Sequence, residues 1–276
     1  MEEQALNRKT NYVLLLALLA IALSLTTAGC GVVNKLRAKN SLNEGVREFN
    51  KGKYQTAEEK FSQALELSPD LTNAQLYYAQ AIKAQFDQAL SEDLGKKTIA
   101  AYDNVISKNQ GNDTAIDQAL AYKANIYDQL TRVNPAKAAE FKQLQRETLE
   151  KRANLPSATA KTKADVYYTL GVSYWKESYD LNAGYFAKHQ PIPPDVLQKM
   201  KPLAQKAHEY LQKAISVDPN YANAWFYEKL VYIEDAKTDP GHLKDYDAKA
   251  KVMQEKYIAM QKQQQQQAAS EAAPAK

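Results

Sequence analysis

Histidines, cysteines and glycine-rich loops are common participants in catalysis, and this chain of 276 residues has few of them. Its three histidines, His189, His208 and His242, lie far apart in the sequence, and no His-Glu-x-x-His pair is present. No glycine-rich phosphate-binding loop follows a predicted strand. We therefore expect no catalytic residues, no metal site and no cofactor, and we predict that the protein is not an enzyme.

The single cysteine, Cys30, lies at the end of a long uncharged stretch. Two basic residues precede a dense aliphatic run at 12–25, which is the layout of a secretory signal. The small residues Thr27-Ala28-Gly29 come immediately before the cysteine. This arrangement resembles the lipobox of bacterial lipoproteins, with Thr27 where that family usually has Leu. The resemblance implies a signal peptide at 1–29, cleavage after it, and lipidation of Cys30 with acyl chains such as palmitate.

An uncleaved membrane anchor is the alternative interpretation of the same segment. Residues 12–33 are uncharged, and about 20 apolar residues suffice to span a bilayer. Lys35, Arg37 and Lys39 follow the segment and outnumber the basic residues before it, so the positive-inside rule would leave the body in the cytosol. Both interpretations attach the protein to a membrane.

The segment 41–70 has the pattern of two helices separated by a turn at Gly52. Gly45 and Ala57 are small, which permits a close approach of the two helices, and Pro69 ends the second one. Together with aromatic residues at 49, 54 and 61, these positions resemble the tetratricopeptide repeat (TPR), a 34-residue helix pair. The resemblance implies an all-α fold, a TPR-type right-handed α-solenoid of about five helix pairs.

The array of helix pairs is expected to occupy residues 41–261. The individual pairs are expected near 41–70, 72–109, 113–156, 162–219 and 221–261. A tether at 30–40 precedes the array, and a disordered tail rich in Gln and Ala follows it at 262–276.

Residues 179–194 interrupt the fourth pair, and they are too long and too rich in proline for a repeat turn. We expect a projecting loop there, with Tyr185, Phe186 and His189 as candidate contact residues. The alternative, that its aromatic side chains fold back and cap the neighbouring groove, stays open.

By resemblance, a TPR array holds a protein or peptide in a concave groove lined by the first helix of each pair. In chaperone adaptors of this family, Lys and Asn clamp a terminal carboxylate, but Leu42 and Val46 occupy the corresponding positions here. Core packing between helix pairs is the alternative role for the aromatic residues among the groove positions. The predicted groove lining is Phe49, Tyr77, Gln80, Lys83, Tyr122, Asn125, Tyr168, Trp175 and Lys176.

The formal net charge of +4 is mild, and no basic stripe points to nucleic acid. We therefore expect a non-enzymatic, membrane-anchored scaffold that binds a protein or peptide partner in assembly of the bacterial cell envelope. Gly31 follows the cysteine where inner-membrane lipoproteins of enterobacteria have Asp, which favours the outer membrane and a periplasmic body. The alternatives are a transmembrane-anchored cytosolic adaptor and an accessory subunit of an envelope enzyme or secretion system.

Overall fold

The computed structural model describes residues 31–271, with side chains through residue 268. Within that range every regular element is a helix and no strand is present, which confirms the predicted all-α class. The predicted signal peptide, the lipidated Cys30 and residues 272–276 of the predicted tail lie outside the described residues.

Ten α-helices follow one another along the described chain, and short 3₁₀ turns at Pro135–Lys137 and Pro240–His242 precede the sixth and tenth. The helices are α1 (31–50), α2 (Tyr54–Leu67), α3 (Thr72–Ala89), α4 (Glu92–Lys108), α5 (Asp113–Val133), α6 (Ala138–Ala153), α7 (Ala160–Ala187), α8 (Pro194–Val217), α9 (Ala222–Thr238) and α10 (Leu243–Glu271).

The described residues form two compact units, 31–119 and 120–271. In the first, Ala57, Phe61 and Ala81 form a buried cluster that α1 and α3 cover. A Cβ added at Gly45 would lie 2.4 Å from Phe61 Cε1, so a glycine is required for α1 to approach α2 this closely. Gly52 turns the chain between these helices with a φ of +74°, which a glycine adopts without strain.

Buried amide groups link the start of α3 to the end of α4 in the same unit. Asn109 Nδ2 donates to Gln75 Oε1 at 2.6 Å, and Gln75 Nε2 donates to the carbonyl of Pro69 at 2.6 Å. Thr72 Oγ1 donates to Asn109 Oδ1 at 2.5 Å. Because these polar atoms satisfy one another, the turn after α2 and the turn after α4 are held together.

In the second unit, α7 and α8 pack together in an extensive interface. A Cβ added at Gly171 of α7 would lie 2.5 Å from Leu211 Cγ and 3.2 Å from the backbone oxygen of Ala207, both in α8. Leu211 and Ala207 belong to a buried cluster that continues into α9 through Ala224 and Val231. Small residues therefore set the spacing of helices in both units.

The prediction of a projecting loop at 179–194 is wrong for most of that segment, because α7 continues to Ala187. Asn182 stabilises this extension: its amide is fully buried and donates to Ser178 O at 3.0 Å and to Glu234 Oε2 at 2.7 Å. Tyr185 and Phe186 consequently lie on a helix. His189 adopts a φ of +51° just beyond the helix end, and only a short connection leads from there to α8.

Two other segments predicted to lack regular structure are helical. Residues 31–40, expected as a tether, form the first turns of α1. Residues 262–271, expected as a disordered tail, continue α10. Gln and Ala have high helix propensity, so low sequence complexity at the end of an existing helix does not terminate it.

Candidate functional site

A cleft of about 490 Å³ lies among α5, α6 and α7 in the second unit. Helix α7 supplies one wall along a single face, with residues spaced by three, four or seven positions. The lining residues are Asp128, Thr131 and Arg132 of α5, Ala138, Lys142 and Gln145 of α6, and Thr169, Val172, Ser173, Lys176 and Asp180 of α7.

The floor of the cleft, which we define as Gln145 and Ser173, is polar. Arg146 of α6, which is only 8% exposed, does not line the cleft but holds Ser173 in place. Its Nε donates to Ser173 Oγ at 3.2 Å, and its Nη2 donates to Ser173 O at 3.2 Å and to Glu177 Oε2 at 2.7 Å. Gln145, also 8% exposed, presents an amide beside this network. An amide is both a donor and an acceptor, so the floor can pair with either half of a peptide group.

The rim of the cleft carries charges held in exposed ion pairs within single helices. Lys176 Nζ lies 2.8 Å from Asp180 Oδ1, and Arg132 Nη2 lies 3.2 Å from Asp128 Oδ2. Exposed pairs at this spacing contribute only about 0.3–0.5 kcal/mol each. A ligand can therefore replace one member of each pair with a group of its own at little cost.

The adjacent face of α7 is aromatic and packs against α9 instead of lining the cleft. The ring centres of Trp175 and Tyr227 are 5.0 Å apart, and those of Tyr168 and Tyr227 are 5.6 Å apart. Trp175 also stacks on Tyr179 at 5.5 Å. Burial, assisted by Tyr227, raises the pKa of Tyr168 to about 12, so its phenol is neutral at physiological pH. Within residues 31–271 the Trp175 Nε1 is buried and has no hydrogen-bond partner.

The predicted groove residues of the second unit are thus divided between two surfaces. Lys176 lines the cleft, whereas Tyr168 and Trp175 pack beside it. Asn125 is exposed on α5, where its Oδ1 accepts a 2.9 Å bond from Gln129. Tyr122 is half-buried on the same helix, about two to three turns before the cleft residues of α5.

In the first unit, the aromatic members of the predicted groove serve the core. Tyr77 stacks on Phe61 with ring centres 5.5 Å apart, and Phe49 meets Tyr54 edge-on at 5.1 Å. Phe49 and Tyr77 therefore have the alternative role, core packing, and not a role in lining a groove. Gln80 is half-buried on α3, and Lys83 Nζ, on the same helix, forms a 2.6 Å ion pair with Asp87.

A buried ionic cluster between α8 and α9 carries no signal in the sequence. His208 Nδ1 lies 2.8 Å from Glu228 Oε1, and His208 Nε2 lies 2.7 Å from Asp235 Oδ2. Burial opposes a charge on the imidazole, but the bonds to Asp235 and Glu228 outweigh it and raise the pKa of His208 to about 9. The imidazolium therefore joins the two helices as an ion, and Gln212 and Tyr232 complete its surroundings.

A second buried cluster supports the far end of α7. Glu234 of α9, only 2% exposed, accepts from Asn182 and forms a 2.7 Å ion pair with Lys237. The Lys237 ammonium also lies 5.1 Å from the Phe186 ring centre and 5.8 Å from that of Tyr179. Tyr179 and Phe186 are exposed around this ammonium, so the predicted contact residue Phe186 remains accessible on the helix. His189 and the half-buried Tyr185 lie near the same helix end.

Neither cluster gathers metal ligands. Among residues 31–271, no group of three or more His, Cys, Asp or Glu side chains is placed to hold a metal ion. Over that same part of the chain, none of the helices combines the length and apolar character needed to cross a bilayer.

Solved structures share this arrangement of helices, while the sequence matches no protein-family model and no curated protein. A MamA structure from Desulfovibrio magneticus RS-1, beginning at its residue 41, is 15% identical with a TM-score of 0.50, covering 83% of this chain and 97% of that one. A MamA RS-1 double mutant is 15% identical with a TM-score of 0.51, covering 83% and 96%. YrrB, described as a TPR protein with an unusual peptide-binding site, is 13% identical with a TM-score of 0.46, covering 80% and 84%.

Identities this low bear on the fold alone. The MamA likeness extends over most of both chains, and it agrees with the helix pairs and the small-residue contacts at Gly45 and Gly171. The predicted TPR-type α-solenoid is therefore confirmed as the fold class.

Proposed function

We propose that the protein is a non-enzymatic scaffold that binds a protein or peptide partner, and that the cleft among α5, α6 and α7 is its binding site. The observation that carries this proposal is that the floor of the cleft is held more firmly than its charged rim. Ser173 of the floor is fixed by two hydrogen bonds from Arg146, whereas the charged rim is held only by weak ion pairs. A preformed floor lowers the ordering cost of binding, and an adaptable rim accepts varied side chains.

The chemistry of the cleft favours a polypeptide ligand. Its volume lies within the range of about 300–1,000 Å³ that is usual for ligand sites. The Thr131 and Thr169 hydroxyls line the cleft and donate to carbonyls of their own helices, which leaves their lone pairs to accept from backbone N–H groups of a ligand. The Gln145 amide, also in the lining, can both donate to and accept from a peptide group. Lys142 and Lys176 at the rim select acidic side chains on the ligand.

Site-specific photocrosslinking in intact cells tests this proposal. A photoreactive amino acid at Val172 or Lys176 is expected to capture a defined partner, because both positions line the cleft. The same amino acid at Ser216, an exposed position of α8, is the matched control and is expected to capture none. Filling the cleft with Thr169→Arg should abolish the adduct at Lys176. Equal capture at Ser216, or an adduct that survives Thr169→Arg, would contradict the cleft assignment.

The proposed scaffold is attached to a membrane through a lipid on Cys30, in the bacterial cell envelope. The support is the aliphatic run at 12–25 followed by Thr27-Ala28-Gly29 and the only cysteine. Each buried acyl CH₂ contributes about 0.8 kcal/mol, so two or three chains on one residue hold a protein on a bilayer. Gly31 after the cysteine favours the outer membrane, which places the body in the periplasm, where it would act in envelope assembly.

Metabolic labelling with a palmitate analogue tests the lipid. The wild-type chain is expected to be labelled and the Cys30→Ser chain unlabelled; an unlabelled wild type would rule out lipidation. A reporter fused to the carboxyl terminus then separates a periplasmic body from the alternative, a cytosolic adaptor on an uncleaved anchor. The uncharged stretch at 12–33 and the three cations after it support that alternative.

A further inference from the structure

The first turns of α1 expose large apolar side chains that contact no part of the core. Val32 is 70% exposed, Val33 is 46% exposed and Leu36 is 61% exposed. Isolated exposed apolar residues are ordinary, but these three follow one another on consecutive turns. They form an apolar face that we call the Val32–Leu36 face.

This face points away from the helix pair. Ala38 is fully buried, and Gly45, seven residues later on the same side of α1, lies against Phe61. Leu36 precedes Ala38 by two residues, which in an α-helix corresponds to a rotation of about 200°. The apolar side chains therefore project opposite to the side that packs on α2.

Cationic residues border the Val32–Leu36 face on both sides. The helical rotation of about 100° per residue places Lys35 and Lys39 along one edge and Arg37 along the other. All three are exposed, and no acidic residue occurs between 31 and 43. Long basic side chains can lay their apolar stems along a hydrophobic surface while their charges reach lipid phosphates.

The same stripe of α1 becomes polar immediately afterwards. Its next members, at spacings of four and three residues, are Asn40, Asn43, Arg47 and Asn50. A helix that docked against another protein along its length would keep the stripe apolar. Here the apolar character ends within two turns, at the end nearest the uncharged run of residues 12–33.

We propose that the first two turns of α1 lie in the interfacial layer of an anionic bilayer, with Val32, Val33 and Leu36 inserted among the acyl chains. Lys35, Lys39 and Arg37 contact the phosphates on either side. The inference rests on the membrane attachment proposed above, which brings residue 31 to the bilayer, and holds for either form of anchor. This contact would hold α1, and with it α2, next to the surface of the bilayer.

An environment-sensitive fluorophore on α1 tests the proposal. The full chain with Cys30→Ser is synthesised in the presence of vesicles, so that residues 1–30 are retained, and labelled at Leu36→Cys. Asn43→Cys and Asn50→Cys, on the same stripe, are the matched controls. On vesicles of phosphatidylglycerol and phosphatidylethanolamine, the label at 36 is expected to emit at shorter wavelength and to be quenched by spin-labelled lipid. The labels at 43 and 50 are expected to behave as in water.

Flotation of the same samples separates this inference from membrane attachment. If the chain floats with the vesicles but the label at 36 emits as in water, the interfacial contact is refuted and the attachment stands. If the chain does not float, the contact of α1 with the bilayer is refuted, whereas attachment through a lipid on Cys30, which this variant lacks, is judged by the palmitate label. Lys35→Glu with Lys39→Glu is expected to reduce the spectral shift at 36 on anionic vesicles without preventing flotation. An undiminished spectral shift would show that Lys35 and Lys39 do not contact lipid phosphates.

Discussion

The guanidinium carbon of Arg146 lies 3.7 Å from the centre of the Tyr174 ring, and the same group donates a 2.7 Å hydrogen bond to Glu177. Tyr174 in turn stacks on Tyr210 of α8 with ring centres 5.8 Å apart. One nearly buried cation therefore joins α6 to α7 and, through the stacked rings, to α8. This relationship fixes the floor of the proposed binding cleft.

Replacing Arg146 with Ala is expected to lower the free energy of unfolding by about 2–3 kcal/mol, because it removes charge-assisted bonds and the stacked contact. Urea unfolding followed by circular dichroism measures this. Lys142→Ala is the matched control, since Lys142 Nζ is 4.0 Å from Glu177 and 31% exposed; it should change stability by less than about 0.5 kcal/mol. Equal losses in the two variants would contradict a special role for Arg146.

Gly171→Ala is expected to destabilise the protein by about 1–3 kcal/mol, because the new methyl group would overlap Leu211 and crowd the Ala207 backbone. Gly184→Ala in the same helix has open space around the new Cβ and should stabilise by about 0.5–1 kcal/mol through helix propensity. Thermal melts of the two variants should therefore shift in opposite directions. A Gly171→Ala chain as stable as the wild type would show that α7 and α8 are not this close.

Stability should fall as the pH rises through the titration of His208. The folded-state pKa of about 9 exceeds the ordinary value of 6.5, so the imidazolium contributes fully below about pH 6.5 and its contribution is lost as the pH approaches 9. The loss is expected to be on the order of 2–3 kcal/mol, as the carboxylates of Glu228 and Asp235 lose the cation between them.

Melting temperatures measured from pH 6 to 9.5 test the His208 prediction. His208→Gln should flatten the decline, although this variant starts less stable. His242→Gln, whose side chain is 64% exposed, should retain the slope of the wild type. A wild-type profile that is flat over this range would show that folding does not shift the pKa of His208, and one that rises from pH 6 would show that the buried imidazole is held neutral.

Lys237→Ala is expected to cost about 2–3 kcal/mol, because Glu234 is almost fully buried and would keep only Asn182 as a partner. Lys199→Ala breaks an ion pair in which both side chains are at least 66% exposed and should have little effect. Denaturant midpoints distinguish the two. Glu234→Gln combined with Lys237→Ala should recover part of the loss, since it removes the unpaired charge.

The sequence predicted the fold because its signals are local. Gly45 and Ala57 are small residues at positions typical of one helix pair, and Gly171 is a small residue at an equivalent position further along the chain. Pro69 marks the end of α2 through its effect on the residue before it. The boundary at 179–194 was mispredicted because the feature that extends α7 is not local. Asn182 and Glu234 are separated by 52 residues, and nothing in the residues around Asn182 indicates that its amide is satisfied inside the fold.

The candidate site was predicted only in part for the same reason. Lys176 was found from its position on the first helix of a pair, but Arg146 and Ser173 meet across 27 residues and carry no motif. The resemblance to the tetratricopeptide repeat also implies that Tyr168, Trp175 and Lys176 of α7 line one groove. In the structure, residues one position apart on α7, Trp175 and Lys176, serve an aromatic cluster and a cleft respectively.

The division of α7 into two faces gives the protein an intrinsic optical probe. Of its two tryptophans, Trp175 packs in the aromatic cluster directly beside the cleft, whereas Trp225 donates its Nε1 hydrogen to the carbonyl of Pro219 at the start of α9. A partner in the proposed cleft would contact α7, the helix that carries Trp175, and the lining of the cleft includes no residue of α9, the helix that carries Trp225. In a Trp225→Phe chain, the remaining indole emission is therefore expected to change when a partner binds the proposed cleft, without any added dye.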